Sequence, residues 1–213
     1  MNLSFEQQLQ SQFPLIAGID EAGRGPLAGP VVVAAVIFDF KEIPEKLQPV
    51  ADSKKLSPKK REELFDIIMN KSLAIGVGLC DHVVIDRINI LQATFLAMKK
   101  ALGELKHKPN IILLDGNLPL PNYSSPQKSI INGDNLIFSI AAASIIAKVT
   151  RDRIMADMHN KYPCYFFDKH KGYGTKLHMN ALKLYGPCEI HRRSFKPVKQ
   201  SLSHKTYDLK LMA

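Results

Sequence analysis

The chain has 213 residues, of which 46% are hydrophobic and 23% charged, enough for one large domain or a domain with an appendage around a sizeable core. No apolar run reaches the roughly 18 residues that span a bilayer, the start Met1-Asn-Leu-Ser-Phe has no signal-peptide pattern, and Cys80, Cys164 and Cys188 show no disulfide spacing. A cytoplasmic protein with no membrane partner is expected.

Residues 1–14 read as a polar lead-in or short helix. Leu15 to Ile19 and Val31 to Phe38 are apolar, β-rich runs joined by a Gly/Pro loop, and both suit buried strands. Ser57 followed by Pro58 starts a helix that runs to about Asn70. Ser72 to Cys80 reads as a strand, Asp81 to Ile88 as a helical turn, and Asn89 to Lys106 as an amphipathic helix. Ile111 to Asp115 is a short apolar run of the kind covered on both sheet faces. Ser129 to Ile131 is a further strand, and one long helix is expected from about Asn135 to Lys161. Loops and short helices rich in Lys, His and Tyr complete the chain. The class is mixed α/β with an appended basic helical part.

The net charge of +9 is unevenly spread. Residues 1–143 carry 15 basic and 15 acidic side chains, whereas residues 144–213 carry 14 basic and 5 acidic ones. Five of the seven histidines lie in that last third as well. A neutral front and a basic back suit an enzyme that grips a polyanion; a merely solvated basic surface is the plainer alternative.

Asp20 and Glu21 stand side by side at the end of the first apolar run, Asp115 ends another, and Asp134 begins the long helix. Ionised groups are costly to bury without a partner, and a sheet can bring distant strand ends together. Four carboxylates without nearby Cys or His suit Mg²⁺ or Mn²⁺ rather than zinc. Two such ions can activate water and stabilise the leaving oxygen in phosphodiester hydrolysis. Taken singly, each acid has a bland explanation: a solvated turn for the pair, an N-cap for Asp134. Neighbours on a regular strand point to opposite faces, so Asp20 and Glu21 both face inward only if the chain bends or bulges near Gly23; otherwise Glu21 contributes partly through its carbonyl. The spacing of Cys164, His170, His178, Cys188 and His191 matches no paired zinc knuckle.

Several ordered blocks carry a resemblance: Ala17 to Pro30 (AGIDEAGRGPLAGP), Asp52-Ser-Lys-Lys-Leu56, Asn89-Ile-Leu-Gln92, Leu114-Asp-Gly116, Gly133-Asp134, Ser139 to Asp152 (SIAAASIIAKVTRD), Lys171 to His178 (KGYGTKLH) and His191-Arg-Arg-Ser-Phe195. The chain resembles bacterial ribonuclease HII from Ile16 to about Val198, with no departure at the carboxylates. The resemblance implies a ribonuclease H-like fold, a five-stranded mixed sheet flanked by helices with a C-terminal helical extension. The expected layout is a lead-in at 1–14, a catalytic domain at 15–161 and a basic extension at 162–213 packed on the same domain. The implied activity is endonucleolytic cleavage of RNA in RNA–DNA hybrids and at single ribonucleotides in duplex DNA, leaving a 5′-phosphate and a 3′-hydroxyl. Asp20, Glu21, Asp115 and Asp134 correspond to the catalytic set that binds two Mn²⁺ or Mg²⁺ ions. Gly23, Arg24 and Gly25 correspond to the loop that senses the 2′-hydroxyl, and Tyr173 to the residue that stacks on the deoxyribose at the RNA-to-DNA junction. Lys54, Lys55, Asn89 and Gln92 correspond to positions near the phosphate path. Monomer is the expected state. Two rival readings are ribonuclease HIII, which usually carries an extra N-terminal domain, and a nucleic-acid binder that does not cut.

Overall fold

Seven consecutive apolar residues, Val31–Ile37, form a strand (β2) whose side chains are all buried, so the run packs on both faces. It pairs antiparallel with β1 (Ile16–Ala22), from Ala17 opposite Ile37 to Ala22 opposite Val32. β1 runs parallel to β4 (Ile111–Asp115), and β4 runs parallel to β5 (Gln127–Ile130). With β3 (Ala74–Cys80), the order is β3-β2-β1-β4-β5, a five-stranded mixed sheet. Helices α1 (Ser4–Gln10), α2 (Pro58–Lys71), α3 (His82–Gly103), α4 (Gly133–Leu136), α5 (Phe138–Lys161), α6 (Phe167–His170) and α7 (Lys176–Tyr185) complete the fold. This is a computed structural model, and it describes residues 3–41, 43, 47, 50 and 56–202. Lys54 and Lys55 lie outside the described residues.

Chain contacts divide the protein into two units. One comprises Met1–Ala22, Val32–Leu79 and Thr94–Val149; the other comprises Gly23–Val31, Cys80–Ala93 and Thr150–Ala213. The units therefore interleave along the chain, and α3 and α5 each contribute residues to both. The first unit holds the sheet, with a core that includes Phe38, Phe40, Leu64, Ile68, Leu113, Ile140 and Ile146. The second is built on Met155, Tyr165, Phe167, Ala181 and Ile190.

Helix boundaries differ from the sequence expectation at one important place. The long helix expected from Asn135 is two helices, broken at Ile137, whose backbone is extended (φ −118°, ψ 124°). The cause lies 132 residues upstream. The buried carboxylate of Glu6 on α1 accepts the amides of Phe138 at 2.9 Å and Ser139 at 3.0 Å. These are N–H groups of the first turn of α5, which have no acceptor inside the helix. A carboxylate there also suits the helix dipole, so α5 gains an independent start. The N-terminal segment is thus an anchored short helix. The break expected after Ile88 is present: Asn89 has φ 67° and ψ 165°, and its side chain accepts the Gln92 amide at 3.1 Å. Asn89 both ends one helical piece and caps the next.

Gly18 allows α5 to lie directly against β1. A Cβ there would stand 2.2 Å from the Ser139 carbonyl carbon, a backbone atom that cannot give way. That approach lets Ser144, further along α5, reach the acid end of β1.

Candidate active site

In the first unit, Asp20 and Asp115 follow the paired residues Ile19 and Leu114 on parallel neighbouring strands, so the two acids emerge side by side at the same end of the sheet. Asp20 is only 6% exposed. Its Oδ1 accepts the Glu21 amide at 2.7 Å, and the Ser144 hydroxyl donates to the same carboxylate. Asp134, 1% exposed, sits in the first turn of α4 behind Asn132, which occupies the cap position with a left-handed backbone. The N-cap explanation for Asp134 therefore fails. Its amide points at Asp115 Oδ1 over a long 3.4 Å, and its own Oδ1 accepts Asn135 Nδ2 at 3.0 Å. Gly133 lies close by: a Cβ on it would stand 3.3 Å from Asp115 Oδ1.

Glu21 resolves the geometric question posed by the sequence. The β1–β2 register runs through Asp20–Ala34, Glu21–Val33 and Ala22–Val32 without a slip, so no bulge occurs at the acid pair. The chain turns only afterwards, at Gly23 with φ +98°. Glu21 is half-buried, and regular strand parity sends its side chain to the face opposite Asp20. Its carbonyl is therefore the group that alternation leaves available beside Asp20.

The electrostatics of this end of the sheet are costly. Burial pushes the Asp20 carboxyl well above the ordinary carboxylate range, and the neighbouring charges of Glu21 and Asp115 push it further. The Glu21 amide and Ser144 hydroxyl offset only part of that. Among the described residues, no three His, Cys, Asp or Glu side chains close on one point as a ready-made metal cage. The donor set itself is hard and anionic, which fits a divalent cation of the Mg²⁺ or Mn²⁺ type: such an ion would neutralise the mutual repulsion of carboxylates held out of water.

The second unit contains the Gly23-Arg24-Gly25 loop, Asn89, Gln92 and Tyr173. Gly23 is buried while Arg24 and Gly25 are exposed. Tyr173 is 44% exposed, and its ring lies 3.7 Å from where a Cβ on Gly25 would be. Loop and ring are therefore neighbours in this unit. Asn89 and Gln92 are exposed at the α3 kink, where the Asn89 side-chain oxygen is already engaged as a cap.

Two arginines hold this loop from inside. Arg192 is fully buried and donates to three carbonyl oxygens: Gly29 from Nε at 2.9 Å, Arg24 from Nη1 at 3.0 Å and Gly23 from Nη2 at 2.6 Å. Arg151, 1% exposed, donates to Pro30, Lys171 and Ala28 at 2.9, 2.9 and 3.1 Å. Its guanidinium also lies 6.0 Å from the centre of the Tyr173 ring. A rigid fork of N–H donors is suited to this multiple grip, which a point-charge ammonium cannot copy. Burial pulls Arg151 down to about 10 and Arg192 to about 9, both still above neutrality, so both keep their charge.

Comparison with known proteins agrees with this architecture. A model of the ribonuclease HII family matches residues 17–198. The chain belongs to the ribonuclease HII family. The ribonuclease HII of Caldicellulosiruptor bescii is 55% identical over 190 residues, 89% of this chain and 90% of that protein. That of Geotalea uraniireducens is 56% identical over 200 residues, 93% and 90% of the two chains. The crystal structure of ribonuclease H2 from Pyrococcus horikoshii OT3 superposes with a TM-score of 0.74 at 31% identity, covering 89% of this chain and 98% of that one. Membership makes this protein a nuclease of the hydrolase class.

For this ribonuclease HII chain, Arg151 and Arg192 are the residues to which the sequence reading gave no task. A signal existed. The loop of residues 23–30 is rich in Gly, Ala and Pro and lies between strands, so its carbonyl groups need donors from elsewhere.

Proposed function

We propose that this protein hydrolyses the RNA strand of RNA–DNA hybrids and incises 5′ to single ribonucleotides embedded in duplex DNA, leaving a 5′-phosphate and a 3′-hydroxyl. Family membership supports the hybrid endonuclease activity. The observation that carries the site is the Asp20 carboxylate, buried where the charges of Glu21 and Asp115 oppose its ionisation. Asp20, Asp115 and Asp134 through their carboxylates, and Glu21 through its side chain or carbonyl, would hold two Mn²⁺ or Mg²⁺ ions. Bound there, such ions supply water activation and charge neutralisation at the departing oxygen.

The remaining chemistry belongs to the protein. Ser144 and the Glu21 amide fix the Asp20 carboxylate. Gly23, Arg24 and Gly25 present a backbone surface to the 2′-hydroxyl, the group that separates RNA from DNA. Arg192 keeps that surface rigid by occupying the carbonyls behind it. Tyr173 stacks on the deoxyribose at the RNA-to-DNA junction. Asn89 and Gln92 lie near the phosphate path, the charges of Lys54 and Lys55 are further candidates to attract it, and the basic last third supplies the salt-dependent grip on the duplex. The protein acts as a monomer in the cytoplasm.

Incubation with Mn²⁺ and a duplex containing one ribonucleotide tests the proposal. Incision 5′ to that ribonucleotide supports it. Cleavage confined to longer RNA runs favours a ribonuclease HIII-like specificity, and binding without cleavage refutes the enzyme reading.

A further inference from the structure

Three imidazoles are buried together in the second unit, and the proposed reaction uses none of them. His170, His178 and His191 are all buried. His170 and His178 stack with centroids 4.5 Å apart and planes at 12°. The Phe167 ring meets both edge-on, at 5.9 and 5.5 Å.

Their hydrogen bonds admit one consistent protonation pattern. A backbone amide can only donate, and the Cys188 amide points at His191 Nδ1 over 3.0 Å. Nδ1 is therefore the acceptor, and the proton of a neutral ring sits on Nε2. His191 Nε2 lies 3.0 Å from His178 Nε2, which must then accept. The His178 proton is left on Nδ1, 3.0 Å from the Tyr173 carbonyl oxygen. His170 follows the same logic: it accepts the Gly172 amide at Nδ1 (3.2 Å) and donates from Nε2 to the Tyr165 carbonyl (2.8 Å). An added proton on His178 would set one N–H against another. Burial acts in the same direction, pulling His178 down to about 4 and His191 to about 3.

The chain of bonds ends on the backbone of Tyr173. Its carbonyl takes a second donor, the Thr175 amide at 2.8 Å, and its amide donates to the His170 carbonyl at 2.9 Å. The preceding Lys171 holds φ +50°, a left-handed conformation that is unfavourable for a non-glycine residue and persists only where its surroundings enforce it. The turn that presents the half-exposed Tyr173 ring is therefore held against its own preference.

We propose that the neutral His191–His178 pair is a positioning device that fixes Tyr173 for the sugar at the RNA-to-DNA junction. The proposal rests on the reading of Tyr173 given above. Neither histidine is a catalytic residue; both act through the Tyr173 backbone.

The test compares cleavage of duplex DNA carrying one ribonucleotide with cleavage of a uniform RNA–DNA hybrid. His178→Phe should lower the preference for the junction on the order of ten- to a hundredfold, chiefly through KM. Tyr173→Ala should shift the preference in the same direction, and the double variant should be no worse than Tyr173→Ala. His178→Asn, whose side-chain amide reaches the place of Nδ1, should recover most of the preference. An equal loss on both substrates, or additive effects in the double variant, would show a merely structural role. If Tyr173→Ala leaves the preference intact, the stacking reading falls and this proposal falls with it. A measurement on the unmodified protein covers poorly folding variants: long-range ¹⁵N spectra near pH 6 should show both rings neutral, His178 protonated at Nδ1 and His191 at Nε2. Opposite tautomers or a charged ring would overturn the proposal.

Discussion

Asp20 is held in the folded chain at a cost. Its carboxyl is buried, with Glu21 and Asp115 opposing its ionisation, so without a bound cation its charge works against folding. Asp20→Asn should therefore lower cleavage by at least about a hundredfold, the scale of losing one preorganised electrostatic group, while sparing hybrid binding. The same substitution should raise the melting temperature of the metal-free protein, a trade of stability for activity. Mn²⁺ should raise the melting temperature of the wild type and leave the variant nearly unchanged. Full cleavage by Asp20→Asn would overturn the site assignment. Arg192 is the second residue to test. Arg192→Lys keeps the charge but cannot reach the carbonyls of Gly23, Arg24 and Gly29 together. Discrimination between ribose and deoxyribose should fall while the overall fold persists, measured as incision at a single ribonucleotide against incision of all-DNA duplex.

At the scale of elements, α5 depends on α1. Glu6→Ala leaves the Phe138 and Ser139 amides without their acceptor, a loss of about 1–3 kcal/mol. Urea unfolding should show that loss in the midpoint, and an unchanged midpoint would deny the cap. This contact also explains what the sequence could reveal. Val31–Ile37 was legible as a buried strand because its run of β-branched residues needs no outside information, and Asn89 was legible as a helix start from local pattern alone. The break at Ile137 was not, because its cause is the Glu6 side chain, 132 positions before the Phe138 amide that it caps. The acids at strand ends were legible as a group, since a parallel neighbour pairing carries Asp20 and Asp115 to one end of the sheet. The way Glu21 faces was decided by an unbroken register, which only the paired strand reveals. Arg151 and Arg192 stayed hidden because their partners are carbonyl groups, which leave no trace in residue identity.

Over the whole molecule, protonation links the histidines to stability. His178 and His191 are held near 4 and near 3, against about 6.5 in an unfolded chain. As the pH falls, the unfolded chain takes up protons first, so their contribution is complete above about pH 6.5 and drains away as the pH drops towards 4 and then 3. Glu6 and Asp20 work in the opposite sense, because burial raises both carboxyls; their contribution is complete below the ordinary carboxylate range and is lost as the pH rises through their folded values. Comparison of wild type with His178→Asn isolates the imidazoles. Between about pH 6.5 and 5 the variant should lose stability less steeply, followed by urea midpoints.

Arg151 and Arg192 keep two positive charges enclosed and bonded to carbonyl oxygens. Enclosed charges are screened far less by dissolved ions than the exposed lysines of the last third, whose attraction for phosphate weakens over a Debye length of about 8 Å at physiological ionic strength. Added salt should thus act on capture and leave recognition alone. KM should climb with potassium chloride, while the choice of ribose over deoxyribose stays constant across the same titration.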